Sequence, residues 1–405
     1  MLVVKNAKLI VQGKPVLRHI LIENGKIHNI VKSLPDKKIR IVDAQKNFVI
    51  PGMIDCHVHL RDMNLFHKED FLTGTKAAAA GGVTTVLDMP NSDPQTITLH
   101  ALAQKRIVAK KAIVNYGFHF GCTPESDHHE LKKVKNIAST KVYMNASTGN
   151  MGIEDTTLIK IIFENSRMLS VHAESEKVPV ALSLAKKTKK RVYLCHLSLQ
   201  EEVEYVRTYK KKYPQQEVFA EVCPHHLFLT EKDVQHLKGL GMMKPSLKTK
   251  QDQDALWKGI YDGTIDTIGS DHAPHTLSEK NDIACCPFGV PGLETTLPLL
   301  LDAVNQGKIS LTHVVQLTSR NPAKIFGIKN KGYLKPRYDA DIVILDMQKK
   351  KRIENKKLYT KCKWSPFAGK TLQGWPILTL VKGKIIYQDG LLFETPAEEI
   401  HYDQL

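Results

Sequence analysis

The sequence predicts an α/β chain: a (β/α)8 TIM barrel with a small β-sandwich-like domain formed by both chain termini. Three observations carry this. Apolar strand candidates alternate with longer amphipathic segments, the rhythm of a parallel sheet covered by helices. Eight such strands end near His59, Met89, His119, Met144, His172, His196, Cys223 and Asp271, and eight favour a closed barrel over an open sheet. Polar residues able to do chemistry recur where these strands finish, the place from which barrel enzymes build their sites.

From the N-terminus, Leu2 to Val11, Ile20 to Glu23, Lys26 to Val31 and Arg40 to Asp43 read as short strands, with Asn24-Gly25 as a hairpin turn. They are too short to fold alone. The same texture returns at Ala340 to Asp346, Ile377 to Val381 and Gly383 to Tyr387, so a sheet shared by both ends is expected. This divides the chain into residues 1–50 and 330–405 for the small domain and 51–329 for the barrel. Within the barrel, the helices expected are Phe71 to Gly81, Leu99 to Lys111, Thr156 to Asn165, Val178 to Lys190 and Gln200 to Lys212. The seven intervals between strands are long enough for crossovers.

Composition sets the outer bounds. A chain of 405 residues with 42% apolar content can bury a sizeable core, which excludes a small disulfide-stapled fold. The 58 Lys+Arg against 42 Asp+Glu leave a net charge of +16. The densest basic runs, Lys186 to Arg191, Lys210 to Lys212 and Lys349 to Arg352, are spread along surface-like stretches rather than gathered in a nucleic-acid motif. Solvated lysine-rich surface is the leading reading, ahead of an anion-steering field and of nucleic-acid binding. No window is long and apolar enough for a membrane span, and Lys5 and Lys8 interrupt the start, so an untargeted cytoplasmic chain is expected. Seven cysteines without paired spacing, Cys285 and Cys286 adjacent among them, fit free thiols.

The first barrel strand closes as Asp55-Cys56-His57-Val58-His59-Leu60-Arg61, and its two-residue period sends His57, His59 and Arg61 to one side. Imidazoles so placed can hold zinc or a related divalent ion. An isolated His-x-His also fits core or surface histidines; the joint placement of His172, His196 and Asp271 at three further strand ends makes a metal the stronger reading. Lys141 stands among them in Thr140-Lys141-Val142-Tyr143. An ammonium there would repel cations and lose solvation. Addition of carbon dioxide to the neutral amine would give an anionic carbamate able to bridge two metals, the alternative being an ordinary salt-bridging lysine. Two ions sharing that bridge could activate water and polarise a carbonyl, with Asp271 handling protons. No dinucleotide or phosphate-loop motif is present, so hydrolytic attack on an amide is more natural than redox work. Arg61 can offer a planar fork to a carboxylate, and Asn91 and His275 can bind amide or carboxylate oxygens. The plainer alternatives are a surface ion pair for Arg61, a turn after Pro90 for Asn91 and support of a neighbour for His275. Together the three suggest a small acidic amide.

Across essentially the whole chain, the ordered set Asp55 to Arg61, Met89-Pro90-Asn91, Lys141-Val142-Tyr143, Val171-His172-Ala173-Glu174, Leu194 to Ser198, Cys223-Pro224-His225-His226-Leu227 and Ser270 to His275 resembles the dihydroorotase family of the amidohydrolase superfamily. The resemblance implies reversible cyclisation of N-carbamoyl-L-aspartate to L-dihydroorotate plus water in pyrimidine synthesis. It implies two Zn2+ ions, the more buried on His57 and His59 and the more exposed on His172 and His196, with carbamylated Lys141 between them. Asp271 would bind the first zinc and act as acid and base, with a metal-bridging hydroxide as nucleophile in ring opening. Arg61, Asn91 and His275 would recognise the substrate carboxylate, and a homodimer or higher homo-oligomer is expected.

Two stretches depart from the family pattern. Asp62-Met63-Asn64 stands where many members carry Glu-Pro-Gly, and Lys244-Pro245-Ser246-Leu247-Lys248 where many carry Asn-Pro-Pro-Leu-Arg. Tyr143 to Gly149 lacks the paired aspartates of members that bridge through aspartate, which favours Lys141. His225 and His226 are expected to support neighbours rather than ligate. Gly289-Val290-Pro291-Gly292 reads as a loop closing on the substrate or as an ordinary turn. Hydantoinases or dihydropyrimidinases and allantoinases are the nearest rivals, with Arg61 as discriminator because a neutral ring offers it no charged partner. A noncatalytic scaffold homologue is disfavoured by the retention of all the ligand positions.

Overall fold

The computed structural model describes residues 1–34, 39–145 and 150–403, so residues 146–149 of the Tyr143–Gly149 stretch lie outside it. Eight parallel strands make the barrel: Met53–Val58, Val83–Asp88, Asn115–Phe118 with its continuation Phe120–Gly121, Thr140–Tyr143, Met168–His172, Arg191–Leu194, Val218–Val222 and Thr267–Ile268. Each pairs with the next in chain order. The first two strands are buried at every residue, so Asp55, His57, Thr84, Thr85 and Asp88 are enclosed with their apolar neighbours and neither strand alternates between core and solvent.

His119 splits the third strand, its ring held by Ser139 Oγ at 2.7 Å and Cys56 O at 3.0 Å. The half before it pairs with the second strand and the half after it with the fourth. A parallel bridge between Val58 and His272 closes the ring, with His59 N donating to His272 O at 2.8 Å. The eighth strand has only two residues. Its approach to Asp271 is fixed instead by the Asp55 carboxylate, which accepts Ser270 N at 3.0 Å.

The outer layer holds the expected helices at Phe71–Ala80, Leu99–Ala109, Thr156–Asn165, Lys177–Thr188 and Gln200–Lys212, completed by Lys250–Tyr261 and Thr296–Asn305. Asp70 starts the first by accepting Thr73 N at 2.9 Å, and Thr73 Oγ1 accepts Asp70 N in return at 3.3 Å. Thr156–Asn165 buries Ile159, Ile162 and Phe163, the helical spacing of a face turned to the core.

Nine strands from both ends form one hydrogen-bonded sheet, in which Phe48–Pro51 lies between Leu2–Val11 and Ile342–Arg352. Ala340 N donates to Gly25 O and Gly383 N to Ala340 O, bringing two hairpin turns together so that the sheet curls over Val4, Ile20, Ile22, Ile342, Ile344 and Leu380. The second strand begins at Lys14 rather than Ile20. Its first half is largely exposed and carries no apolar alternation to announce it. Two C-terminal stretches return to the barrel: Trp364 Nε1 donates to His275 O at 2.7 Å, and Ile400 N to Tyr116 O at 2.8 Å. All seven cysteines are free, and Cys285 alone among them is exposed.

Candidate active site

At the C-terminal end of the barrel, Nε2 of His59 and Nε2 of His57 lie 3.0 and 3.3 Å from one oxygen, Oδ1 of Asp271. The other ring nitrogens are taken. His57 Nδ1 meets Glu221 Oε1 at 2.8 Å, and His59 Nδ1 meets Asn91 Oδ1. Protons on Nδ1 leave the Nε2 lone pairs facing the carboxylate. Three electron-rich atoms converging on one point repel one another unless a cation lies among them, so the donor set suits a divalent metal. Burial holds the His59 imidazole down at about 4, and it is neutral near pH 7.

A second pair stands beside the first. Nδ1 of His172 is 2.9 Å from Nε2 of His196, with His172 Nε2 on Glu174 Oε1 at 3.0 Å. Burial lowers both imidazoles. Lys141 is fully buried, with Nζ 3.0 Å from Cys195 Sγ and 4.9 Å from the centre of the Tyr143 ring. Among the described residues it forms no ion pair.

Arg61, His196 and Asp271 adopt φ of 59°, 37° and 45°. A left-handed residue other than glycine costs about 1 kcal/mol or more and persists where surrounding structure enforces it. Arg61 follows the metal strand and is 3% exposed. Its Nε donates to Pro274 O at 3.3 Å and its Nη2 lies 3.1 Å from His275 Nε2. His275 also meets Phe288 O at 3.0 Å and Lys68 Nζ at 3.2 Å. Burial first, then the Arg61 and Lys68 charges, push its imidazole far down, so it is neutral. These groups surround about 360 Å³ of open space whose wall carries His57, His59, His172, His196, Asp271, Arg61 and Asn91. His275 stands behind Arg61, and Lys141 lies beneath the wall.

Residues 48–386 match the amidohydrolase family. The chain is 35% identical to the dihydroorotase of Methanosarcina acetivorans over 97% of its own length and 93% of that protein, and 37% identical to the dihydroorotase of Methanosphaera stadtmanae over 99% of each. The chain belongs to the dihydroorotases of the amidohydrolase family. Its fold also matches the L-hydantoinase (dihydropyrimidinase) from Arthrobacter aurescens, with a TM-score of 0.92 at 28% identity over 99% of each chain.

The cavity wall also holds Tyr143, Ala273 and Phe288, to which sequence reasoning gave no role, and Lys244 from one of the two departures. Lys244 replaces the asparagine common in dihydroorotases; it is half-buried, 5.8 Å from the Phe288 ring centre, and has no hydrogen bond or ion pair among the described residues. Gly289, at the start of the predicted loop, also lines the cavity. Its φ is 137°, and a Cβ there would come within 2.5 Å of Ala273 O, so only glycine fits. Glu221 was also missed, though an acid within the apolar run Val218–Val222 was a readable signal. Besides His57 it accepts His196 N at 3.0 Å and Tyr193 OH at 2.7 Å, tying both histidine pairs to one carboxylate. In the other departure, Asp62 accepts Met63 N at 2.7 Å and Phe71 N at 2.9 Å, so the altered loop is pinned to the first helix. His225 and His226 are buried outside the cavity wall.

Proposed function

We propose that this dihydroorotase interconverts N-carbamoyl-L-aspartate and L-dihydroorotate with two Zn2+ ions, one on His57, His59 and Asp271, the other on His172 and His196, with Lys141 as a carbamate between them. When bound, such ions supply Lewis acidity and a nucleophilic water at neutral pH. The observation that carries the substrate assignment is the buried Arg61 guanidinium at the cavity wall beside the histidines and Asp271. A desolvated fork of that kind calls for a carboxylate.

The chain's own residues do the rest. Arg61 takes the carboxylate shared by both substrates, and Pro274 O, which accepts from Nε, holds the fork in its plane. Asn91 links His59 to the substrate side of the cavity. Asp271 presents Oδ1 to the histidines, which leaves Oδ2 to carry the proton. In ring opening that proton goes to the departing nitrogen. In ring closure Asp271 accepts it from the ureido nitrogen, which attacks the side-chain carboxylate carbon, and passes it to the departing carboxylate oxygen, which takes a second proton from solvent and leaves as water. Among the described residues, no helix is long and apolar enough to cross a membrane. A cytoplasmic homo-oligomer acting on a free small molecule belongs to the same proposal.

The test is a metal-replete assay in both directions with carbamoyl aspartate and dihydroorotate, beside hydantoin, dihydrouracil and allantoin. Turnover of the two acids is expected, and preference for a neutral ring would overturn the assignment. Intact-mass and anomalous-scattering measurements should find Lys141 heavier by one carbon dioxide and two metal positions; an unmodified lysine with one metal would refute the bridge.

A further inference from the structure

We propose an accessory site for one thiophilic metal ion on Cys223, His225 and His226, separate from the residues assigned to catalysis. The barrel strand Val218–Val222 ends at Cys223, which leads into the short helix Pro224–Phe228. Each of the three side chains offers one ligand atom, and these atoms lie within 4.8 Å of one another. All are buried, at 0%, 2% and 3% exposure.

One ring nitrogen on each histidine is unspent. His226 Nε2 donates to Pro245 O at 3.0 Å, which leaves the lone pair on Nδ1, and that nitrogen has no partner among the described residues. Nε2 of His225 has none either. A native protein rarely leaves two adjacent buried nitrogens unmet without something that uses them. Burial keeps both imidazoles neutral, so an ion need displace no proton from them. It keeps the Cys223 thiol protonated, so binding exchanges the S–H bond for a sulfur–metal bond and releases one proton to solvent for each ion. Two imidazoles and a thiolate suit Zn2+, Cd2+ or Cu+, and not the hard ions that prefer oxygen. None of the three lines the catalytic cavity. The His226 bond to Pro245 nevertheless places the site one residue from Lys244, so occupancy reaches the substrate wall through that loop.

The probe is Cd2+, added to enzyme already holding two zinc ions, in a C285S background that removes the exposed thiol. The expected result is one further equivalent bound, one proton released and an ultraviolet thiolate-to-cadmium charge-transfer band. Cys223→Ser and, separately, His225→Ala should each abolish that equivalent while the two zinc ions stay; C195S should keep it. Absence of a third equivalent, a band surviving in C223S or a band lost in C195S would each overturn the proposal. These readouts need no substrate, so they stand apart from the assay of the catalytic reading.

Discussion

In the proposed function, substrate choice turns on Arg61. It is buried, left-handed and braced by Pro274. Removing one partner of a desolvated charge pair costs about 2–5 kcal/mol. Arg61→Met should therefore lower kcat/KM for both acids by roughly 30-fold to a few thousand-fold, chiefly through KM, in a steady-state comparison with the parent. Unchanged activity would remove Arg61 from the substrate site. Lys244 offers a milder test. Its ammonium faces the cavity without an ion pair among the described residues, and carbamoyl aspartate brings one more negative charge than dihydroorotate. Lys244→Asn restores the side chain common in the family and should raise KM for carbamoyl aspartate by about tenfold, the worth of one bond to a charged group, while KM for dihydroorotate moves less. Equal shifts for the two substrates would sink that reading.

Among the elements, the segment leading into helix Thr296–Asn305 carries a pH-sensitive acid. Glu294 is 6% exposed and accepts Tyr359 N at 2.7 Å. Burial pushes its carboxyl up to about 7 from an ordinary 4.5. A folded-state value above the unfolded one means that the stability contributed by protonated Glu294 is complete below about pH 4.5 and lost as pH rises to about 7, by at most ~3 kcal/mol. Glu294→Gln cannot lose that proton, so its denaturation midpoint should gain on the parent between pH 5 and pH 8. Parallel curves across that window would contradict the argument. The same scale shows what could be read in advance. The barrel strands and five of its helices were legible because short strand-like segments alternate with longer amphipathic ones and each of those helices keeps a buried stripe. His57, His59, His172, His196 and Asp271 were legible because they finish strands, where chain order alone fixes direction. Long-range partners were not. Glu221 meets His57 across 164 residues, and Trp364 donates to the backbone carbonyl of His275 from 89 residues away. Lys244 enters the cavity from a loop whose path depends on tertiary packing. Strand Phe48–Pro51 escaped notice because it runs into Met53–Val58 across Gly52 alone, so two strands read as one segment.

For the whole molecule, the question is what locks the terminal sheet to the barrel. Gly52 N donates to Asp341 O at 2.9 Å just before the strand that carries His57 and His59. Asp341 Oδ2 accepts Lys331 Nζ at 2.6 Å and Asn115 Nδ2, from the third barrel strand, at 2.9 Å. Its Oδ1 takes Lys382 N at 2.8 Å. Lys331 also reaches Asp339 Oδ2 at 2.9 Å, and Asp339 Oδ1 meets Lys26 at 2.7 Å. One buried cation thus joins the N-terminal strands, the C-terminal strands and the barrel. Burial works against its charge, but Asp341 and Asp339 overcome that and raise the ammonium above its usual value. Breaking a buried pair from one side strands the remaining charges and costs about 3–5 kcal/mol, whereas removing both signs together costs far less. Lys331→Met should therefore lose that much stability in denaturant unfolding, and the triple change Lys331→Met with Asp339→Asn and Asp341→Asn should recover most of it. A loss under about 1 kcal/mol in the single variant, far below that range, would show that the two parts are held by their apolar contact alone.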